Sequence, residues 1–302
     1  MLDLDRLKKA LKSTNSSWSL SQDIPIEASE FMNHGLGALT PPLTMANSFN
    51  PRIGAKDCSA INYLPISNVE NKISLDFEQI PTQWDWNNVD GRSFITNQET
   101  TEYSSASYAI INVMEALLLI KNNLPNTSIS LSKADLDESV SQLNNIQKIN
   151  DRNNIHDFLS VCINQGVCLE VDFADKHKSS DGLKTTADIP VIRIKGYDST
   201  TDKNQMKRWI VQEGPLLTSC IIYEDFEFFW KGGTGIYTHI SGLPLGSLNL
   251  CVIGYDDLEQ YWICKTYYRP TVTHLNGIFK IKYKQCNIDS QMYLLQDIYT
   301  VY

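Results

Sequence analysis

Seven cysteines and five histidines are the side chains of this 302-residue chain best suited to nucleophilic, acid–base or metal chemistry. Their spacing is not that of a metal site: there are no paired CxxC motifs and no His-Glu-x-x-His. Cys220 and Cys251 sit inside apolar runs, where a thiol reads as a small buried hydrophobe. His34 and His177 fall in polar, loop-like segments, and His156 stands near the start of a predicted helix, where a surface or capping role fits. Glu102, Tyr103, Ser104 and Ser105 open the longest predicted helix, and capping explains Ser and Glu in a first turn. Gly232-Gly233 before Thr234-Gly235 is no phosphate loop, because no lysine follows in the required place.

The elements that must carry these residues follow from periodicity. Ala106, Ala109, Ile110, Val113, Leu117 and Ile120 recur at helical spacing and predict a helix from about Tyr103 to Asn122. A second helix runs from about Asn153 to a stop near Gly166. Pro215 to Tyr223, Leu248 to Tyr255, Gln260 to Thr266 and Gly277 to Tyr283 are short β-branched or aromatic runs and read as strands. One helix, about Thr201 to Gln212, interrupts them, and the run Lys203, Lys207, Arg208 is its solvated face. Residues 1 to 80 are irregular after a short amphipathic helix at Met1 to Lys12, with Pro41-Pro42 and many Asn and Ser. Helices first and strands second predict an α+β fold of two packed halves, with no internal repeat.

Composition narrows the classes of partner. Hydrophobic residues make up 42% and charged residues 20%, ordinary values for a globular domain. A net charge of −9 with no basic cluster argues against nucleic acid and anionic membranes as partners. No apolar run approaches spanning length, and the start is not a basic region before an apolar core, so a soluble, cytoplasmic protein is expected. An odd, irregularly spaced set of cysteines fits a reducing compartment.

Residues 81 to 295 resemble papain-type (C1) cysteine peptidases, in four blocks that keep the family order, closest to cathepsin-B-like and bacterial members. The blocks are PTQWDWNNVDGRSFITNQ (81–98), the long helix that follows, YEDFEFFWKGGTGIYTHISG (223–242), and CVIGYDDLEQYWICKTYY (251–268) with NGIFKIKY (276–283). The resemblance implies a papain-like fold, a helical half at about 81–184 and a β half at about 185–302. It also implies that residues 1–80 are an extension like a retained pro-segment. It places Gln98 at the family's oxyanion-donor position. Counting forward, the nucleophile position is Ser104, or Ser105 with a one-residue shift; the histidine position is Leu248, flanked by Ser247 and Asn249; the asparagine position is Thr266, followed by Tyr267, Tyr268 and Arg269. The cysteine that would precede the nucleophile is replaced by Thr101, and the segment 136–155 has neither cysteine nor glycine, so the substrate-binding edge of the groove is expected to be rebuilt. His239 matches a histidine that is structural in relatives, whereas His274 falls in a loop bordering the cleft.

A triad reading Ser, Leu, Thr predicts no useful peptide hydrolysis, because one lost member of such a unit removes most of the rate. The expectation is a pseudo-peptidase whose cleft binds a small molecule or modified peptide, without cofactor or metal. Its candidate residues are Gln98, Glu102, Tyr103, Ser104, Ser105, Leu248, Thr266, Tyr267 and His274. Backbone N–H groups at the helix start, with Gln98, would form a pocket for a carbonyl or anion. A repurposed non-hydrolytic enzyme, with Tyr267 or His274 moving a proton, and a protein-interaction module are the alternatives.

Overall fold

The computed structural model describes residues 2–21, 80–97, 104–147, 155–178, 189–268 and 274–302. Gln98, Thr101, Glu102, Tyr103, Arg269 and His34 lie outside them. The chain opens with helix α1 (Leu4–Ser13), capped by Asp3, whose Oδ1 accepts from the Arg6 N–H at 2.7 Å. Leu7 and Leu11, one turn apart, are its buried face. Strand β1 (Trp18–Leu20) follows directly, and β2 (Gln83–Asp85) begins the next described stretch.

Helix α2 (Ser105–Lys121) is the axis of the helical half. It is buried from Ser105 through Leu119, so it is apolar on nearly every side and surrounded by other elements. Glu115 is wholly buried within it and is held by Thr96 Oγ1 at 2.5 Å and the Leu131 N–H at 2.9 Å. The ammonium groups of Lys133 and Lys265 contribute positive potential there, as a buried carboxylate requires. Helices α3 (Lys133–Gln147), α4 (Ile155–Asn164) and α5 (Glu170–Lys178), with strand β3 (Val167–Cys168) between the last two, complete this half. His177, expected in a loop, lies on α5.

The β half contains β4 (Val191–Arg193), β5 (Gly196–Thr200), α6 (Lys203–Gln212), β6 (Leu216–Tyr223), α7 (Glu224–Gly232), β7 (Gly233–Tyr237), β8 (Pro244–Asp256), β9 (Tyr261–Lys265), β10 (Ile278–Lys282), β11 (Met292–Gln296) and β12 (Tyr299–Val301). Among the described residues one large sheet runs β1-β7-β10-β9-β8-β6-β11-β5, with β2 also paired to β8, and a small one runs β12-β4-β3. All pairings are antiparallel except β10 with β7. The fold is α+β, as expected. One correction concerns α7. The sequence predicts one helix in this half; its described residues contain two α-helices, α6 and α7. Phe226, Phe229 and Trp230 recur at helical spacing, and Glu224, Asp225 and Glu227 favour the N-terminal turn.

The first segment is knitted into this sheet. β1 pairs antiparallel with β7, Trp18 opposite Gly235. Gly235 has φ +105°, and a Cβ there would lie 2.5 Å from the Ser17 carbonyl oxygen, so only glycine admits β1 at this distance. Trp18 is 3% exposed, packs edge-on against Phe229 and donates from Nε1 to the Thr238 carbonyl at 2.9 Å.

Candidate functional site

The start of α2 meets the open face of β6 and β8, and three side-chain groups define the contact. Ser104 is the N-cap. Its Oγ accepts from the Ser107 N–H at 3.1 Å and donates to Asp137 Oδ1 at 2.8 Å, while its own N–H donates to Asp137 Oδ2 at 3.0 Å. The Ser107 hydroxyl also donates to Asp137. A carboxylate from α3 therefore sits at the positive end of α2, where an anion is most stabilised. Ser104 is a structural cap bound to this carboxylate.

Ser105, one residue on, points to the sheet. Its Oγ accepts from Asn249 Nδ2 at 3.3 Å and lies 3.4 Å from the Asn249 backbone N–H. Asn249 is part-exposed, whereas Leu248 is completely buried. Neighbouring residues of a strand face opposite sides. Leu248, with its partner Cys220, looks into the β-half core, and Asn249, with its partner Ser219, looks into the cleft. Val252 pairs with Cys264 but Gly254 with Ile263, so β8 carries one extra residue between them. Gly254 itself lies against β2, where an added Cβ would be 2.1 Å from the Trp84 carbonyl oxygen.

One turn along α2, the Tyr108 ring packs against Tyr267, centroids 5.5 Å apart, and the Lys133 ammonium lies 5.1 Å from the Tyr108 centroid. Tyr267 in turn packs on Tyr268 at 4.5 Å. Burial pushes the Tyr267 phenol up to about 12, so it keeps its proton at neutral pH and is a poor acid. Thr266 is buried, and its N–H donates to the Gly277 carbonyl at 2.9 Å. Lys265, next to it, is 3% exposed and donates to the Asn276 carbonyl at 2.8 Å; burial pulls its ammonium down to about 8.

His274 does not join this group. It is 4% exposed, stacks on Trp230 with centroids 4.7 Å apart, and has Nε2 3.1 Å from the Phe229 carbonyl. Burial lowers its pKa and favours the neutral ring. His156 contacts the Tyr197 hydroxyl through Nδ1 at 3.0 Å, between α4 and β5. The structure thus brings Ser104, Ser105 and Tyr267 to one side of the cleft and puts Leu248 and His274 elsewhere. The sequence reading passed over Asp137, Ser107 and Tyr108, and named Asn249 only as a neighbour. The alternation Ser247, Leu248, Asn249, Leu250 carried the signal for Asn249, since a leucine between two polar residues on a half-buried strand faces the core.

A central helix whose N-terminus abuts an antiparallel sheet defines an α+β protein of two packed halves. The family described as papain family cysteine protease matches residues 80–295, and the chain belongs to that family. Cathepsin B-like CP3 of Giardia intestinalis is 29% identical over 122 residues, 38% of this chain and 38% of that protein, so the match spans well under half the length of the curated relative. Among solved structures, proCathepsin B S9 from Trypanosoma congolense superposes with a TM-score of 0.64 at 13% identity, covering 98% of each chain. The digestive procathepsin L2 proteinase of Tenebrio molitor larval midgut gives 0.63 at 15% identity, over 97% of this chain and 88% of that one. At these identities the likeness establishes the fold alone.

Proposed function

We propose that this papain-family chain does not hydrolyse peptides and that its cleft binds a small molecule or a modified peptide. The pairing of Ser105 with Asn249 at the start of α2 carries the reading. Both groups are neutral at neutral pH and neither can take a proton from the other, so the pair lacks the base that nucleophilic catalysis needs. Asp137 adds to the argument, because a negative charge already at the helix N-terminus disfavours a second one developing there. What remains is the neutral Ser105–Asn249 pair, suited to holding an amide or hydroxyl. The repurposed-enzyme alternative has less support, since Tyr267 holds its proton tightly and His274 is packed behind α7. We also place the protein in a reducing compartment, a reading favoured by Cys162, Cys220, Cys251, Cys264 and Cys286, which are buried thiols in no disulfide.

Two measurements test the reading together. Intact mass after treatment with an epoxide or vinyl-sulfone peptidase probe should reveal no cleft-directed adduct. Mass spectrometry of a small-molecule extract from cells lacking the protein, incubated with purified chain, should find a compound retained unchanged. A covalent adduct at Ser105, or turnover of a peptide, would reject it.

A further inference from the structure

The chain enters β10 through a tight turn with chemistry of its own. Leu275–Gly277 form a single 3-10 turn just before Ile278. Asn276 and Gly277 both have left-handed backbones, φ 58° and 71°. Asn276 is exposed, and it begins the chain's only Asn-Gly pair. Packing fixes the glycine: an added Cβ would lie 2.5 Å from the Thr266 carbonyl oxygen. No side chain at 277 therefore shields its amide nitrogen from the Asn276 side chain. That N–H meets its acceptor, the His274 carbonyl, at a long 3.3 Å.

A buried cation rests on the same peptide group. The Lys265 side chain, in a residue 3% exposed, donates from Nζ to the Asn276 carbonyl oxygen at 2.8 Å. That oxygen and the Gly277 nitrogen belong to one amide. Positive charge held at the oxygen stabilises the anion that forms when the nitrogen gives up its proton. Burial pulls Lys265 down to about 8, which leaves it mainly an ammonium at neutral pH.

We propose that Asn276 is a self-modification site, converted to isoaspartate in a reaction that Lys265 promotes. The Gly277 nitrogen attacks Asn276 Cγ. The N–Cγ bond forms, the Cγ–Nδ2 bond breaks, and ammonia leaves with the Gly277 proton. Water then adds to the ring carbonyl that Lys265 polarises, and the bond from that carbon to the Gly277 nitrogen breaks. The chain thereafter runs through Cγ, and the freed α-carboxylate stays on the Lys265 ammonium. The net change is water consumed and ammonia released, with no oxidant or reductant. The modified turn has a longer backbone, and it sets a negative charge against a buried cation in place of a neutral acceptor. The inference goes beyond the ligand-binding reading and stands without it.

The test incubates the full chain in warm neutral buffer beside a synthetic peptide of residues 272–281. Peptide mass follows Asn276, and fragmentation separates isoaspartate from aspartate. In the folded chain the conversion should run on the order of tenfold faster than in the peptide, the gain expected of a charge-assisted hydrogen bond to a developing anion. It should yield isoaspartate almost alone, where the peptide yields both products. Lys265→Met should bring the rate and the product ratio to those of the peptide. Should that variant not fold, the wild-type chain in guanidinium chloride makes the same comparison, because unfolding also takes Lys265 away from the turn. A folded chain that keeps Asn276 intact, reacts no faster than the peptide, or gives the peptide's product ratio overturns the proposal. So does a folded Lys265→Met variant that reacts like wild type.

Discussion

At the scale of single residues, the site turns on which of two adjacent serines faces the sheet. Ser104 is tied to Asp137 and Ser105 to Asn249. Ser104→Ala should therefore cost about 1 kcal/mol in chemical denaturation through loss of the cap, with no effect on ligand contacts at Asn249. Ser105→Cys places a thiol at the start of α2, one residue from Ser104, whose hydroxyl and N–H hold the carboxylate of Asp137. Its alkylation by iodoacetamide should be slow. Adding Asp137→Asn should speed it on the order of tenfold, as expected for a one-unit fall in thiol pKa when a nearby negative charge is removed. Equal rates in the two variants would mean that Asp137 does not set the local potential. Asp137 was not legible in the sequence, because a cap supplied from another helix leaves no local pattern; Ser104 and Ser105 were, because N-terminal turns favour them.

At the scale of elements, the long helix and the four central strands were legible from periodicity, within a few residues of their observed ends. α7 was not, since Phe228, Phe229 and Trp230 read equally well as a strand until the spacing of Phe226 to Phe229 and Trp230 is weighed. The extra residue in β8 was equally hidden, since a bulge leaves no mark in the apolar run Leu250 to Ile253. Two predictions belong here. Glu115→Ala strips α2 of a buried carboxylate, takes from Lys265 its carboxylate counter-charge and leaves Lys133 with Glu170 alone. It should cost about 3–5 kcal/mol, measured by urea unfolding. Trp18→Ala empties the groove against Phe229 and Tyr237 and should cost about 3–5 kcal/mol. A Trp18→Ala midpoint equal to wild type would mean that β1 is not integral to the sheet.

At the scale of the whole molecule, buried thiols govern the response to alkali. Burial pushes Cys162, Cys251 and Cys286 up to about 12 and raises Cys220 and Cys264 further. Below about pH 9, thiols hold their protons in both states and their full contribution is present. Above it the unfolded chain releases protons that the native state keeps, so stability falls with pH. The expected loss is about 1 kcal/mol per thiol by pH 10. Lys265 acts the other way: with its native pKa near 8, it adds stability as pH rises from about 8 towards the ordinary lysine range. One lysine against five thiols gives a melting temperature that is level or slightly rising from pH 8 to 9 and falls steeply above. Thermal unfolding in reductant across this range checks it; a flat profile to pH 10.5 would refute it.

The pairing of β1 with β7 has a further consequence for the molecule in solution. β7 carries Ile236 and Tyr237, and among the described residues its outer row of N–H and C=O groups is covered by the Trp18–Leu20 ribbon. A chain cut before Thr234 meets its partner would expose a bare, apolar sheet margin, and such margins recruit strands from other molecules. Shortened versions that omit the first twenty residues should therefore aggregate on concentration, even where the remaining core is intact.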